Sequence, residues 1–182
     1  MRIAFHSNQL SERGTEVALY KYAKYNQEIL GNESIIISSA DKENKGLSKF
    51  KDFPIFLYSG QCNDGGDNTP IRDQIESICA EQNIDVFYAI KAGENDGIIP
   101  RNVRTAMHCV FRMPEPHGDI YAGICKYVSE KFGGSFPYVH HVIEKEAAHI
   151  ESDLREELGI PEGALVFGRH GGADTFSLPV YE

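Results

Sequence analysis

The first forty residues contain two short apolar runs separated by one amphipathic run, which is the pattern of a strand, a helix and a second strand. The apolar run at residues 3–5 and the β-branched run at residues 34–38 each predict a strand. Between them, residues 15–30 predict a helix that ends at Gly31. Its apolar face consists of Ala18, Tyr22, Tyr25 and Ile29. A right-handed crossover between two parallel strands follows from this order.

The same alternation continues through the middle of the chain. Thr69 as N-cap and Pro70 at the first helical position predict a second helix, and a short helical turn is predicted at residues 127–132. Strands are predicted at residues 55–58, 86–90, 105–111 and 121–125, with a further extended segment at residues 138–143. Polar and glycine-containing loops are predicted between these elements.

Strands that alternate with helices at this interval predict an α/β fold with a Rossmann-like, doubly wound parallel sheet. Both faces of such a sheet are covered, which agrees with the continuous apolar character of the strands. Ligands of open parallel sheets bind outside the carboxyl ends of the strands. We therefore expect the functional residues in the loops that follow the strands.

The end of the sequence predicts a linker and the beginning of a second domain. Residues 152–158 have a polar N-cap and an acidic first turn, and Gly159 and Pro161 stop the helix. The apolar run at residues 164–167 predicts a buried parallel strand that leads into a glycine loop. We expect a Rossmann-like domain at residues 1–150, a linker helix and turn at residues 151–163, and a truncated start of another domain at residues 164–182.

Composition excludes several classes of function. The chain has 182 residues, a formal net charge of −9 and a pI near 5.3, which disfavours nucleic acid and anionic membranes as partners. No run is apolar enough for a signal peptide or a transmembrane segment, so we expect a cytoplasmic protein. The cysteines form no C-x-x-C pair and predict reduced thiols rather than a zinc or redox site. They are Cys62, Cys79, Cys109 and Cys125.

The loop after the first strand is the first candidate for chemistry. Gly14, Thr15 and Glu16 stand where the chain enters the first helix, so their backbone amides would face a phosphate or another oxyanion. The alternative is structural, with Thr15 as the N-cap and Gly14 as a turn residue. A dinucleotide site is disfavoured because the G-x-G-x-x-G pattern is absent.

Histidines near strand ends give a second set of candidates. His108 could hydrogen-bond a sugar hydroxyl or a polarised leaving group, or it could be a satisfied structural residue. His117 and Asp119 lie in a proline-constrained loop at the expected ligand edge. The adjacent His140 and His141 point to opposite faces of an extended segment and do not predict a shared metal ion.

Four segments in this order resemble GT-B glycosyltransferases, and most closely the group 1, GT4-like branch. They are residues 13–20, residues 107–111, residues 116–122 and the linker into residues 166–169. Each segment alone is weakly specific, but their order covers essentially the whole chain. The resemblance implies the N-terminal, acceptor-side domain of a two-domain enzyme, followed by the first strand of the C-terminal, donor-binding domain.

The resemblance also implies roles for single residues. Gly14, Thr15 and Glu16 resemble the loop that faces the donor phosphate or the transferred sugar, and His108 resembles a sugar-contacting catalytic residue. His117 and Asp119 are implied to contact substrate. Arg169 resembles the arginine that neutralises the departing nucleoside diphosphate. The implied partners are a nucleotide-sugar donor and a carbohydrate or other acceptor, with no metal and no cofactor.

The sequence departs from the family pattern at its end. The C-terminal domain, with its acidic donor-binding motif, does not follow Glu182, and no basic residue closely follows Arg169. We therefore expect a glycosyltransferase fragment that needs a C-terminal domain for turnover. The alternative is a noncatalytic sugar- or nucleotide-binding module. The apolar residues of the tail are expected to be disordered or to support self-association; they are Phe176, Leu178 and Val180.

Overall fold

A computed structural model describes residues 1–42, 44–62, 66–131, 136–144 and 154–166. Within these ranges the chain forms six strands, four α-helices and one 3₁₀ helix, Leu47–Phe50. The strands are β1 (Arg2–His6), β2 (Glu33–Ser39), β3 (Ile55–Tyr58), β4 (Val86–Lys91), β5 (Arg104–Cys109) and β6 (Ile120–Gly123). The helices are α1 (Gly14–Glu28), α2 (Thr69–Glu81), α3 (Lys126–Lys131) and α4 (Leu154–Glu157).

The six strands form one parallel sheet in the order β3-β2-β1-β4-β5-β6. In its centre, Ala4 of β1 lies opposite Ile35 of β2 on one side and Phe87 of β4 on the other. This arrangement confirms the predicted α/β, Rossmann-like fold. The strand order reverses between β1 and β4, so the loops after these two strands diverge and leave a crevice at the carboxyl edge of the sheet.

Two apolar cores cover the two faces of the sheet. Ala4 and Ile35 face the core that contains α2, whereas their neighbours Phe5 and Ile36 face the core that contains α1. Successive residues of a strand point to opposite faces, so a strand between two helical layers must be apolar at every position. This requirement explains the uninterrupted run Ile35, Ile36 and Ile37, all of which are buried.

Several predicted boundaries need correction. Asn68 precedes α2 as its N-cap, so Thr69 is a helical residue and Pro70 occupies the second position. Strand β5 ends at Cys109 instead of residue 111. Residues 138–143 do not form a strand, because Tyr138 makes only an isolated bridge to Gly123, the last residue of β6. The short edge strand offers no further backbone groups for pairing in that direction.

The chain divides into two units, Met1–Val142 and Ile143–Glu182. In the second unit, helix α4 ends before Gly159, whose φ of 64° is the left-handed conformation expected after a helix. The strand predicted at residues 164–167 is wrong for its described part, because residues 164–166 lie in no strand and Leu165 is 82% exposed. Without a paired neighbour, a short apolar run gains no ladder hydrogen bonds and buries no face.

Some predictions fall on residues that the structure does not describe. The N-cap of the linker helix, the glycine loop after residue 167, Arg169 and the apolar tail all lie outside the described residues. The predicted domain limits stay predictions. In the described part, no helix combines the length and apolar character that a membrane span needs.

Candidate functional site at the carboxyl edge of the sheet

A cavity of about 210 Å³ lies where the strand order reverses between β1 and β4. Its walls come from the loop that follows β1, the first turn of α1, and the chain that follows β4 and β5. The lining residues are Ser7, Asn8, Gln9, Thr15, Glu16, Ile90, Lys91, Ala92, Glu94, Asp96, Val110 and Phe111. The cavity is therefore at the position where open parallel sheets bind ligands.

Glu16 anchors the loop between β1 and α1. The Ser7 hydroxyl donates to its Oε1 over 3.0 Å, and the Ser11 hydroxyl donates to its Oε2 over 2.7 Å. The Glu16 side chain is buried, so these two donors compensate a carboxylate that has left bulk water. The loop is thus tied to the helix that follows it, and one edge of the Glu16 carboxylate lines the cavity.

The N-terminus of α1 contributes backbone groups to the same region. Arg13 is the N-cap and makes no side-chain capping bond, and the first helical hydrogen bond runs from the amide of Val17 to the carbonyl of Arg13. The alternative prediction, in which Thr15 is the N-cap of this helix, is therefore wrong, because Thr15 is the second helical residue. The amides of Gly14, Thr15 and Glu16 precede that first bond, as at any helix N-terminus. Thr15 and Glu16 line the cavity, whereas Gly14 lies beside it on the surface.

An ion pair forms the floor of the cavity. Lys91 ends β4, and its Nζ lies 2.5 Å from Oδ2 of Asp96, with side chains only 4% and 12% exposed. Asn8 joins the pair, since its Oδ1 accepts from Lys91 over 3.0 Å and its Nδ2 donates to Asp96 over 3.2 Å. Burial opposes ionisation of Asp96, but the charge of Lys91 and these hydrogen bonds lower its pKa to about 2. The Asp96 carboxylate is therefore ionised at neutral pH.

His6 lies beneath the ion pair in the core. Its Nε2 and the Tyr58 hydroxyl share a hydrogen bond of 3.2 Å, and its buried Nδ1 has no partner in the described part of the chain. Burial and then the charge of Lys91 hold the pKa of His6 well below its ordinary value, so the ring is neutral. Sequence reasoning missed His6, Lys91 and Asp96, although a polar residue directly after a buried apolar strand is a usable signal.

His108 lies outside this cavity, on the face of the sheet that α1 covers. The Tyr88 hydroxyl lies 2.5 Å from its Nδ1, and its Nε2 donates to the Val139 carbonyl over 2.9 Å. The rings of Tyr22 and His141 pack edge-on against it. Burial and the nearby His141 lower the pKa of His108 to about 4. Both ring nitrogens thus bind protein groups, and the predicted sugar contact of His108 stays a prediction.

His117 and Asp119 line a second cavity, away from the loop that contains Thr15 and Glu16. The Asp119 carboxylate accepts from the amide of Thr105 over 2.7 Å and from its hydroxyl over 3.0 Å, and these bonds lower the pKa of Asp119. They also link the start of β6 to the start of β5. The structure therefore separates the predicted substrate residues into two cavities.

No group of three or more histidine, cysteine, aspartate or glutamate side chains in the described ranges is arranged to hold a metal ion. The four cysteines are free thiols, and Cys79 and Cys109 are buried. Burial raises the pKa of Cys79 to about 12 and that of Cys109 to about 11, so neither is a reactive thiolate at neutral pH.

The chain resembles known proteins in its fold but not in its sequence. No protein-family model matches the chain, and no curated protein sequence matches it. Among solved structures, MurG of Acinetobacter baumannii, a GT-B glycosyltransferase, superposes with a TM-score of 0.54 at 11% sequence identity. The match covers 79% of this chain and 46% of the MurG chain, so the chain spans a little under half the length of MurG. The chain therefore has a Rossmann-like α/β fold that matches part of the MurG structure.

Proposed function

We propose that this chain is the N-terminal, acceptor-side half of a GT-B glycosyltransferase of the group 1, GT4-like branch. In this proposal the enzyme transfers a sugar from a nucleotide diphosphate sugar to an acceptor, and a second domain supplies most of the donor contacts. The observation that carries the proposal is the polar cavity at the reversal between β1 and β4. Its polar lining suits a hydroxylated ligand.

The charges around the cavity are compensated within the protein. Lys91 pairs with Asp96, Glu94 pairs with Arg112, and two serine hydroxyls donate to Glu16. A phosphate in this cavity would meet three carboxylates and a lysine that is already paired, so an anion is disfavoured. A neutral sugar can instead donate its hydroxyl protons to the carboxylate oxygens and accept from amide groups. This balance supports an acceptor or transferred sugar as the occupant.

Single residues take the following roles in the proposal. Thr15 and Glu16 contact the sugar from the first turn of α1, and Gly14 lies beside them at an open surface position, where a Cβ would meet nothing within 4 Å. Arg169 neutralises the donor phosphate. His108 would contact the sugar only after its bond to Val139 is broken, and His117 and Asp119 belong to the second cavity.

A noncatalytic sugar- or nucleotide-binding module is the second candidate. Such a module would hold a sugar, or the sugar part of a nucleotide sugar, in the same cavity through the same residues, but it would bind without turnover. The two candidates therefore differ in nucleoside diphosphate release and not in the location of the ligand.

The test is amide chemical-shift mapping of the chain with UDP-, GDP- and ADP-hexoses and with free hexoses. We expect shifts at residues 7–9, 14–16 and 91–94. Gln9→Ala should weaken binding about fivefold through a lost hydrogen bond. Gln61→Ala removes an exposed amide outside the cavity and should leave binding unchanged. Shifts confined to other residues would contradict the proposed site.

The same panel, run on a longer form that continues into a donor-binding domain, separates the two functions. Release of nucleoside diphosphate by the longer form supports the transferase. Binding by the short chain without release from either form supports the module. Absence of binding and release in both forms would contradict the glycosyltransferase proposal.

A further inference from the structure

The second cavity has a volume of about 340 Å³ and lies beside α2, on the opposite face of the sheet from α1. Its walls come from α2, the connection between β4 and β5, and the loop before β6. Two arginines and one histidine line it together with Asn95, Gly118 and Asp119; the three basic residues are Arg72, Arg101 and His117. This concentration of basic groups is unusual in a chain with a net charge of −9.

Arg72 makes no direct ion pair in the described part of the chain, although its charge acts on the carboxylates of Asp67 and Glu76. Its Nη2 donates to the Thr69 hydroxyl over 3.3 Å, while its buried Nε has no hydrogen-bond partner. Arg101 differs, because its guanidinium pairs with Glu76 at 2.9 Å. A buried guanidinium nitrogen without a partner is costly, since it has lost its water and gained no acceptor. The Arg72 guanidinium can therefore donate a further hydrogen bond to a ligand.

His117 presents a second unpartnered nitrogen to the same region. Its Nδ1 donates to the Glu115 carbonyl, and its ring packs against Tyr121 with centroids 5.0 Å apart. These contacts fix the ring so that the buried Nε2 is left without a partner. Because Nδ1 carries the proton in the neutral ring, Nε2 can donate only when the ring takes a second proton.

We propose that this cavity is a binding site for an oxyanion, either a free ion or the phosphate group of a larger molecule, held between Arg72 and His117. The guanidinium of Arg72 supplies charge-assisted hydrogen bonds, and Arg101 adds positive charge at the rim. Asp119 also lines the cavity, and two hydrogen bonds from Thr105 to its Oδ2 offset part of its negative charge. Gly118, at φ 76°, brings the backbone close to the site, and a Cβ there would lie 3.1 Å from Oγ1 of Thr105.

The site is independent of the proposed glycosyltransferase function. It shares no lining residue with the cavity between β1 and β4. The charged groups that face His117 and the cavity are Arg72, Asp73 and Glu76 of α2, Arg101 of the connection, and Glu115 and Asp119 of its own loop.

The test is an NMR titration of the chain with sodium sulfate, whose charge is constant between about pH 5 and pH 8, the range in which histidine titrates. We expect saturable shifts at residues 72, 95–101 and 117–119. Sodium chloride at equal ionic strength is the control for screening.

Arg72→Gln should weaken sulfate binding about tenfold or more, since it removes a charged donor. Arg104→Gln, an equal change of charge at an exposed position outside the cavity, should leave the affinity unchanged. Equal binding by both variants, or shifts in the parent chain that lie elsewhere, would overturn the proposal. The mapping on the parent chain needs no variant, so the proposal is testable even if Arg72→Gln does not fold.

Inorganic phosphate and glycerol phosphate distinguish the source of the anion. Tighter binding of glycerol phosphate supports the phosphate group of a larger molecule, for which the cavity has room. Equal or tighter binding of inorganic phosphate supports a free ion. If inorganic phosphate, glycerol phosphate and sulfate all fail to bind, the proposed oxyanion site is wrong. That result would leave the proposed sugar cavity unaffected.

Discussion

The Lys91 ammonium and the Asp96 carboxylate form an ion pair of 2.5 Å at the base of the cavity between β1 and β4. The pair joins the last residue of β4 to the loop that follows it, and Asn8 joins it to the loop after β1. Two divergent loops are thus held by one polar cluster. Because both charges are nearly buried, each depends on the other for compensation.

Asp96→Asn should destabilise the fold strongly. The amide keeps the shape of the side chain but leaves Lys91 buried without a counter-ion, and loss of one partner of a buried pair costs about 3 to 5 kcal/mol. The free energy of unfolding from urea titrations measures this cost. Asp73→Asn, which breaks an exposed pair of 3.7 Å with Arg101, should cost less than about 1 kcal/mol. Equal losses in the two variants would contradict a buried, mutually compensated pair.

His108 should make stability depend on pH. Its pKa is lowered from 6.5 to about 4, so the unfolded chain binds a proton more readily than the folded chain does. Stability is then lost as the pH falls below about 6.5, and this residue alone should account for a loss of about 2 kcal/mol between about pH 7 and pH 5. Urea titrations at the two pH values measure the loss.

His108→Gln should reduce that pH-dependent loss, whatever its effect at neutral pH. The remaining dependence of stability on pH comes from His6 and His141, because burial also lowers their pKa values. His140→Gln is the matched control, because it removes an exposed imidazole from the neighbouring segment. An undiminished loss in His108→Gln would show that this ring titrates normally in the folded chain.

The central strands and main helices could be predicted because their patterns are local. The run Ile35 to Ile37 must be buried on both faces, and Pro70 marks the first turn of α2. The two failed strand predictions, at residues 138–143 and 164–167, have β-favouring composition, but the first segment makes only one isolated bridge and the described part of the second makes none. Pairing is a property of the tertiary structure, so composition alone could not reveal it.

The candidate site was only partly predictable for a similar reason. Thr15 and Glu16 follow a glycine at the start of a helix, which is a local signal. Asn8 and Lys91 are 83 positions apart in the sequence and meet only because β1 and β4 are neighbours in the sheet. The enclosure of His108 likewise depends on Val139, 31 positions away.

Gly93→Ala should prevent correct formation of the loop after β4. Gly93 has a φ of 140°, and a Cβ there would lie 1.8 Å from the carbonyl oxygen of Arg112. Backbone must move to relieve this overlap, and the bond from the Tyr121 hydroxyl to the Gly93 carbonyl would be disturbed. We expect a loss of several degrees or more in Tm, measured by circular dichroism, consistent with a cost of at least about 2 kcal/mol.

Gly14→Ala provides the comparison for that substitution. Gly14 begins α1 without a left-handed φ, and a Cβ there meets nothing within 4 Å. Alanine should therefore leave Tm unchanged or raise it slightly, because it restricts the unfolded chain. A similar loss of Tm in both variants would contradict the close packing at Gly93.

Glu16→Ala should loosen the loop between β1 and α1. The substitution leaves the hydroxyls of Ser7 and Ser11 without their acceptor and opens space beneath the loop. Hydrogen bonds to a charged group contribute about 1.5 to 3 kcal/mol, so local opening of residues 7–13 should become at least about tenfold more frequent. Amide hydrogen exchange measures this opening directly. Glu12→Ala, an exposed glutamate in the same loop, is the control and should leave exchange unchanged. If sugar binding then weakens in Glu16→Ala while the sheet amides stay protected, the loop conformation and not the overall fold limits access to the cavity.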